Sequence, residues 1–111
     1  MGIRLCSLSS GSSGNCIFVG NYSSGLLVDC GISGKAALKN LNSIGVCSSS
    51  IKAVVVTHEH SDHIRSVGII SRKLGIPIYA NINTWNSMGD LIGTIKTENI
   101  RSFKVGEDLE I

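Results

Sequence analysis

All three histidines of this 111-residue chain fall between His58 and His63, interleaved with Glu59 and Asp62 in the stretch "THEHSDH". Residues two apart in an extended segment share a side, so His58 and His60 point together and Glu59 points away. Two imidazoles on one side can reach one divalent ion at about 2.0 to 2.1 Å. Asp62 and His63 lie past a turn, displaced along the chain, where they address a second ion instead of crowding the first. Two ions roughly 3.5 to 4 Å apart hold a bridging hydroxide together with the oxygens of an ester or phosphodiester. Water on such an ion ionises near pH 7, which gives a nucleophile without a dedicated base. Nitrogen and oxygen donors suit zinc and manganese alike. A lone loop histidine is ordinarily a solvated or hydrogen-bonded residue. Three of them with an aspartate at H-x-H-x-D-H spacing, between an apolar run and a helical repeat, read as ligands.

The elements that must position the cluster are legible on both sides of it. "IKAVVVT" is a near-continuous β-branched run, the pattern of a strand covered on both faces. After the cluster, from about His63, the apolar residues Ile64, Val67, Ile70 and Leu74 recur at helical spacing up to Gly75. The histidines therefore occupy a strand-to-helix connection at the C-terminal edge of a sheet, where α/β proteins place ligands. Upstream, residues 3–8, 16–19 and 26–29 read as three strands separated by the turn-forming clusters "SSGSSGN" and "GNYSSG". Ala37, Leu38, Leu41 and Ile44 predict an amphipathic helix over 34–44, stopped by Gly45. Downstream, "IPIYA" reads as a strand, residues from about 84 to 91 as a helix, and "IRSFKVGEDLEI" as two strands joined at Gly106. The order β-β-β-α-β-α-β-α-β-β implies α/β layering, in one unit over residues 1–111 with no repeat or linker.

Composition bounds what such a unit can be. The chain is 42% hydrophobic and 16% charged with a formal charge of +2, an ordinary water-exposed balance. Its length allows one small domain that buries roughly 65% of the surface exposed when unfolded. The ten basic residues are scattered, with only Arg72 and Lys73 adjacent, so charge alone gives no nucleic-acid footprint. Cys6, Cys16, Cys30 and Cys47 are widely spaced, with no C-x-x-C pair and no secretory signal ahead of them. They read as reduced thiols of a cytoplasmic protein, three of them packed as small apolar residues in strands. No apolar run approaches the roughly 20 residues of a membrane helix.

"THEHSDH" resembles the H-x-H-x-D-H signature of the metallo-β-lactamase superfamily. "LSSGSSGNCIFV", "LLVDCG" and "THEHSDHIRSVGIISRKLGIPIYANINTW" extend the match, and together they resemble the YycJ (VicX, WalJ) group of bacterial cytoplasmic metallohydrolases over essentially the whole chain. That resemblance implies the N-terminal half of a four-layer αββα sandwich, a two-metal hydrolytic centre, and 5′→3′ exonuclease action on DNA. RNA or a small thioester or lactone is the alternative substrate. Carried over by position, His58 and His60 bind the first metal, and Asp62 and His63 fit the second, with Asp62 also a candidate for proton transfer. Asp29, which ends "LLVD", corresponds to an aspartate that supports the metal loop by hydrogen bonding from beneath. The plainer reading of Asp29 is a strand-end residue capping a turn. "SSGSSGN" reads either as a loop that offers N–H and hydroxyl groups of Ser10, Ser12, Ser13 and Asn15 to a phosphate, or as a hairpin connection without the P-loop pattern. Cys30 stands where alanine is common in the group and Ser66 where glycine is common, and neither change removes a ligand.

The superfamily completes its centre with a third histidine for the first metal, a bridging aspartate and a last histidine for the second. No histidine follows His63. The segment is therefore expected to stop before those ligands, to bind metal weakly and to be inactive by itself. Without a second sheet, the strands "IRLCSL", "CIFVG" and "AVVVT" should expose an apolar face. A non-catalytic fragment that self-associates or pairs with another chain through that face is the reading from a different class.

Overall fold

The computed structural model describes residues 2–9, 14–58, 60, 62–104, 106–109 and 111, and of residue 61 the backbone alone. The strands are β1 (Arg4–Ser9), β2 (Cys16–Gly20), β3 (Gly25–Val28), β4 (Ile51–Val55), β5 (Ile78–Ala80) and β6 (Ile100–Ser102). The helices are α1 (Gly34–Ser43), α2 (Ser61–Ile64), α3 (Val67–Leu74) and α4 (Ile82–Met88). The strands form one sheet in sequence order, antiparallel from β1 to β3 and parallel from β3 to β6. A short turn joins β2 to β3: Asn21 Oδ1 accepts the N–H groups of Ser23 and Ser24 at 3.0 Å, which reverses the chain there. The parallel strands need helical crossovers, and these come from α1, then α2 with α3, then α4.

Alternation along the strands sorts the two faces. Phe18, Leu27, Val54 and Ile78 are fully buried with Leu41 of α1 and Ile70 of α3, so the core lies between the sheet and the helices. The other face carries Leu5, Ile17, Val19, Leu26, Val28, Val55 and Tyr79, all outside that buried core. Register joins them into one surface. Leu5 lies opposite Val19, Val19 opposite Leu26 and Ile17 opposite Val28, while Val28 neighbours Val55 and Val55 neighbours Tyr79. Leu5 is 76% exposed.

Local capping explains where the crossover helices begin. Ser33 Oγ accepts the Ala36 N–H at 3.2 Å ahead of α1, and Asn81 Oδ1 accepts the Thr84 N–H at 2.8 Å ahead of α4. Three expectations are revised. The helical repeat after the histidines is two helices, because the Ser66 N–H is taken by the Cys30 carbonyl at 2.8 Å and its hydroxyl donates to the Ile32 carbonyl, which interrupts the ladder. The strand before the histidines ends at Val55, with Val56 held onward through its N–H to the Tyr79 carbonyl at 2.8 Å. Among the described residues no strand follows Ser102, although Gly106 turns the chain with φ 84°. Cys6 and Cys16 lie in strands, buried Cys30 lies just past β3, and Cys47 is exposed. No helix among the described residues is long and apolar enough to cross a membrane.

Candidate metal centre

The parallel ladder of β3 and β4 continues one residue beyond β3, where the Asp29 N–H donates to the Val55 carbonyl at 2.7 Å. Asp29 then takes φ 62°, a left-handed conformation that aspartate tolerates better than most side chains, and turns the chain under the histidine segment. Backbone hydrogen bonds strap that turn to α2. Cys30 N–H donates to the His63 carbonyl at 2.7 Å, Gly31 N–H to the Asn15 carbonyl at 2.8 Å, and Asn15 N–H to the Asp62 carbonyl at 2.7 Å. Gly31 is required by this approach, since a Cβ there would lie 1.7 Å from the Asp62 carbonyl oxygen.

The Asp29 carboxylate is buried and faces three donors. Its Oδ1 accepts the Thr57 N–H at 2.7 Å, and its Oδ2 accepts the Thr57 hydroxyl at 2.6 Å and meets His63 Nδ1 at 2.7 Å. A carboxylate only accepts, so His63 carries a proton on Nδ1, and in the neutral ring the lone pair is then on Nε2. That Nε2 lies 3.7 Å from Asp62 Oδ2. Asn15 Nδ2 donates to the same Asp62 oxygen at 3.3 Å, so the Asn15 side chain engages this carboxylate from the β1–β2 connection. The other three residues of the serine-glycine loop named from sequence, Ser10, Ser12 and Ser13, lie outside the described residues.

His58 and His60 are exposed in the connection between β4 and α2. The His58 ring centroid is 5.0 Å from that of His63 and 6.2 Å from that of His60. The period-two reasoning that paired His58 with His60 loses its basis past Val55, where the strand ends. Among the described residues no three histidine, cysteine, aspartate or glutamate side chains are close enough together to hold an ion as they stand. The donor types and one spacing nevertheless fit a divalent ion. Two ligands about 2.1 Å from a tetrahedral ion lie about 3.4 Å apart, close to the separation of the Asp62 and His63 atoms.

Thr57, Gly31 and Ser66 shape this centre and were not singled out as site residues from sequence. Thr57 showed only as the end of a β-branched run. Below the turn, the Cys16 thiol is held well above the usual thiol range by its hydrogen bond with Cys30 and by burial, so it stays neutral.

The family model of the metallo-beta-lactamase superfamily matches residues 10–108. The chain belongs to this superfamily. It is 44% identical over 107 residues to Exodeoxyribonuclease YycJ of Bacillus anthracis and 38% identical over 109 residues to Exodeoxyribonuclease WalJ of Streptococcus pneumoniae. Each match covers 96% of this chain and 40% of the relative, so the chain spans about two fifths of the length of these curated relatives. In structure it is similar to BJP-1, a subclass B3 metallo-beta-lactamase of Bradyrhizobium japonicum, with a TM-score of 0.77 at 15% identity over 98% of this chain and 46% of that one. A single sheet with a buried core on one face is one α and one β layer of the metallo-beta-lactamase αββα sandwich.

Proposed function

We propose that this chain carries half of the metal centre of a cytoplasmic, metal-dependent phosphodiesterase that degrades DNA from the 5′ end. The observation that carries the reading is the Asp29–His63 contact at 2.7 Å beside Asp62, in a chain 44% identical to a protein named as an exodeoxyribonuclease. His58 and His60 would hold one divalent ion and Asp62 and His63 a second, zinc or manganese. When bound, such ions supply a hydroxide at neutral pH and offset charge that develops on the phosphodiester. The chain's own groups prepare for that. Asp29 fixes a proton on His63 Nδ1 and so makes Nε2 the atom that would bind an ion, and Asn15 holds Asp62 through Oδ2, which leaves Oδ1 to take a proton at the reacting centre.

The remaining donors come from a longer form or a second chain, and the 111 residues alone are not expected to turn over substrate. The test has two steps. Elemental analysis after dialysis gives ions per chain, expected well under one for this chain alone. A chimera completed with the remainder of the Bacillus anthracis relative is then assayed on 5′-phosphorylated duplex DNA, RNA and a small thioester with zinc or manganese. Metal-dependent release of nucleotides from the DNA 5′ end, lost in His60→Ala, supports the proposal. Activity that survives His60→Ala overturns the metal assignment, and preference for RNA or thioester overturns the substrate.

A further inference from the structure

Thr57 links the buried carboxylate to a second imidazole. Its Oγ1 lies 2.6 Å from Asp29 Oδ2 and 3.1 Å from His58 Nδ1, and its hydroxyl has one proton to give. Asp29 also receives the Thr57 N–H and His63 Nδ1, each at 2.7 Å, and a carboxylate facing three donors accepts from all of them. The shorter contact is of the length expected for a hydroxyl bonded to a carboxylate, so the Thr57 proton lies towards Asp29. Oγ1 then has only lone pairs for His58. The contact requires the proton to sit on His58 Nδ1.

From this geometry we infer that Thr57 is a positioning residue that holds His58 as its Nδ1–H tautomer and leaves the Nε2 lone pair for a metal ion. One carboxylate thereby sets two imidazoles, His63 by direct contact and His58 through the threonine hydroxyl. The relay matters because His58 is exposed, and a neutral exposed histidine otherwise favours the Nε2–H form, whose Nε2 cannot coordinate. Asp29 is 4% exposed, so the anchor of the relay is fixed although its outer end is wet. The purpose assigned to the lone pair rests on the metal reading above, whereas the tautomer assignment does not.

Nitrogen-15 histidine labelling of the metal-free chain, read by two-bond proton–nitrogen correlation above the imidazole titration range, tests the tautomer directly. The expected spectrum shows His58 and His63 both protonated on Nδ1. In Thr57→Val, which keeps the shape and removes the hydroxyl, His58 moves to a mainly Nε2–H mixture while His63 is unchanged. Thr57→Ser restores the parent pattern. Zinc affinity, from competition with a coloured chelator, should fall about tenfold in Thr57→Val and stay within about twofold in Thr57→Ser. A parent His58 already in the Nε2–H form, or a His58 tautomer unmoved by Thr57→Val, overturns the assignment. A tautomer shift as described, with no zinc bound even by the chimera completed with the remainder of the relative, supports the role of Thr57 and overturns the metal reading instead.

Discussion

At the scale of single residues, Asp29 combines a left-handed backbone with a buried carboxylate that meets three donors, so its two nearest substitutions should fail differently. Asparagine tolerates φ 62° and can still accept the Thr57 N–H through its oxygen. Its amide nitrogen, however, replaces the acceptor that faces His63 Nδ1, which drives His63 to the Nε2–H form. Alanine leaves the Thr57 N–H without its partner and adds backbone strain. Urea unfolding should show Asp29→Asn less stable by about 1 to 2 kcal/mol and Asp29→Ala by about 3 kcal/mol. Both variants should lose zinc binding, and an asparagine variant that binds zinc like the parent would contradict the tautomer logic. Cys47 is set apart from the other three thiols by its exposure. Its exposed thiol is held below the usual thiol range by a hydrogen bond from the Ser49 hydroxyl and another from the Ser49 backbone N–H. A lowered thiol pKa means more thiolate below pH 8.5, so iodoacetamide should modify Cys47 first near neutrality, with the advantage fading above about pH 9. Ser49→Ala should slow that labelling, and buried Cys16 and Cys30 should react only on unfolding.

At the scale of elements, two glycines separate close approach from conformational need. A Cβ on Gly31 would strike the Asp62 carbonyl, and both partners are backbone, so the β3–α1 connection and α2 must part. Gly31→Ala should cost about 1 to 3 kcal/mol and weaken zinc binding, because the strap that fixes Asp62 and His63 is displaced. Gly75 ends α3 at φ 66° with nothing within 4 Å of its would-be Cβ. Gly75→Ala should cost only about 1 to 2 kcal/mol and leave zinc affinity unchanged. Thermal unfolding and chelator competition on the pair read both effects. The contrast also shows which features were legible in sequence. Apolar alternation and helical spacing located β1 to β5 and the crossover helices, because burial on one face dictates both periods. The break between α2 and α3 was invisible, since it follows from Cys30 and Ile32 carbonyls more than thirty residues away accepting from Ser66. Ligand types and spacing marked His58, His60, Asp62 and His63, and the resemblance pointed to Asp29. Thr57 carries no such mark, because its part depends on a carboxylate brought across from the neighbouring strand.

At the scale of the whole molecule, the two sheet faces are unequal. The radius of gyration is 12.8 Å, near the about 13 Å expected of a complete domain of this length, so the helix-covered face alone supports compaction. The opposite face keeps a continuous apolar surface from Leu5 through Val19, Leu26 and Val28 to Val55 and Tyr79. Contiguous apolar surface of this kind favours association in water, and the superfamily fold covers it with a second sheet. The isolated chain should therefore bind a hydrophobic dye while folded and sediment with a weight-average mass that rises with concentration. Ile17 and Val28 lie opposite each other on this face and outside the buried core, so the double change Ile17→Thr with Val28→Thr removes apolar area without opening a cavity. Threonine keeps the β-branched shape that a strand favours. Both dye binding and self-association should fall while unfolding stability shifts by no more than about 1 kcal/mol. A parent chain that stays monomeric and dye-free would mean that this face is already covered. A double variant that unfolds would mean instead that the face supports the fold, and that the second sheet is needed for stability as well as for the metal centre.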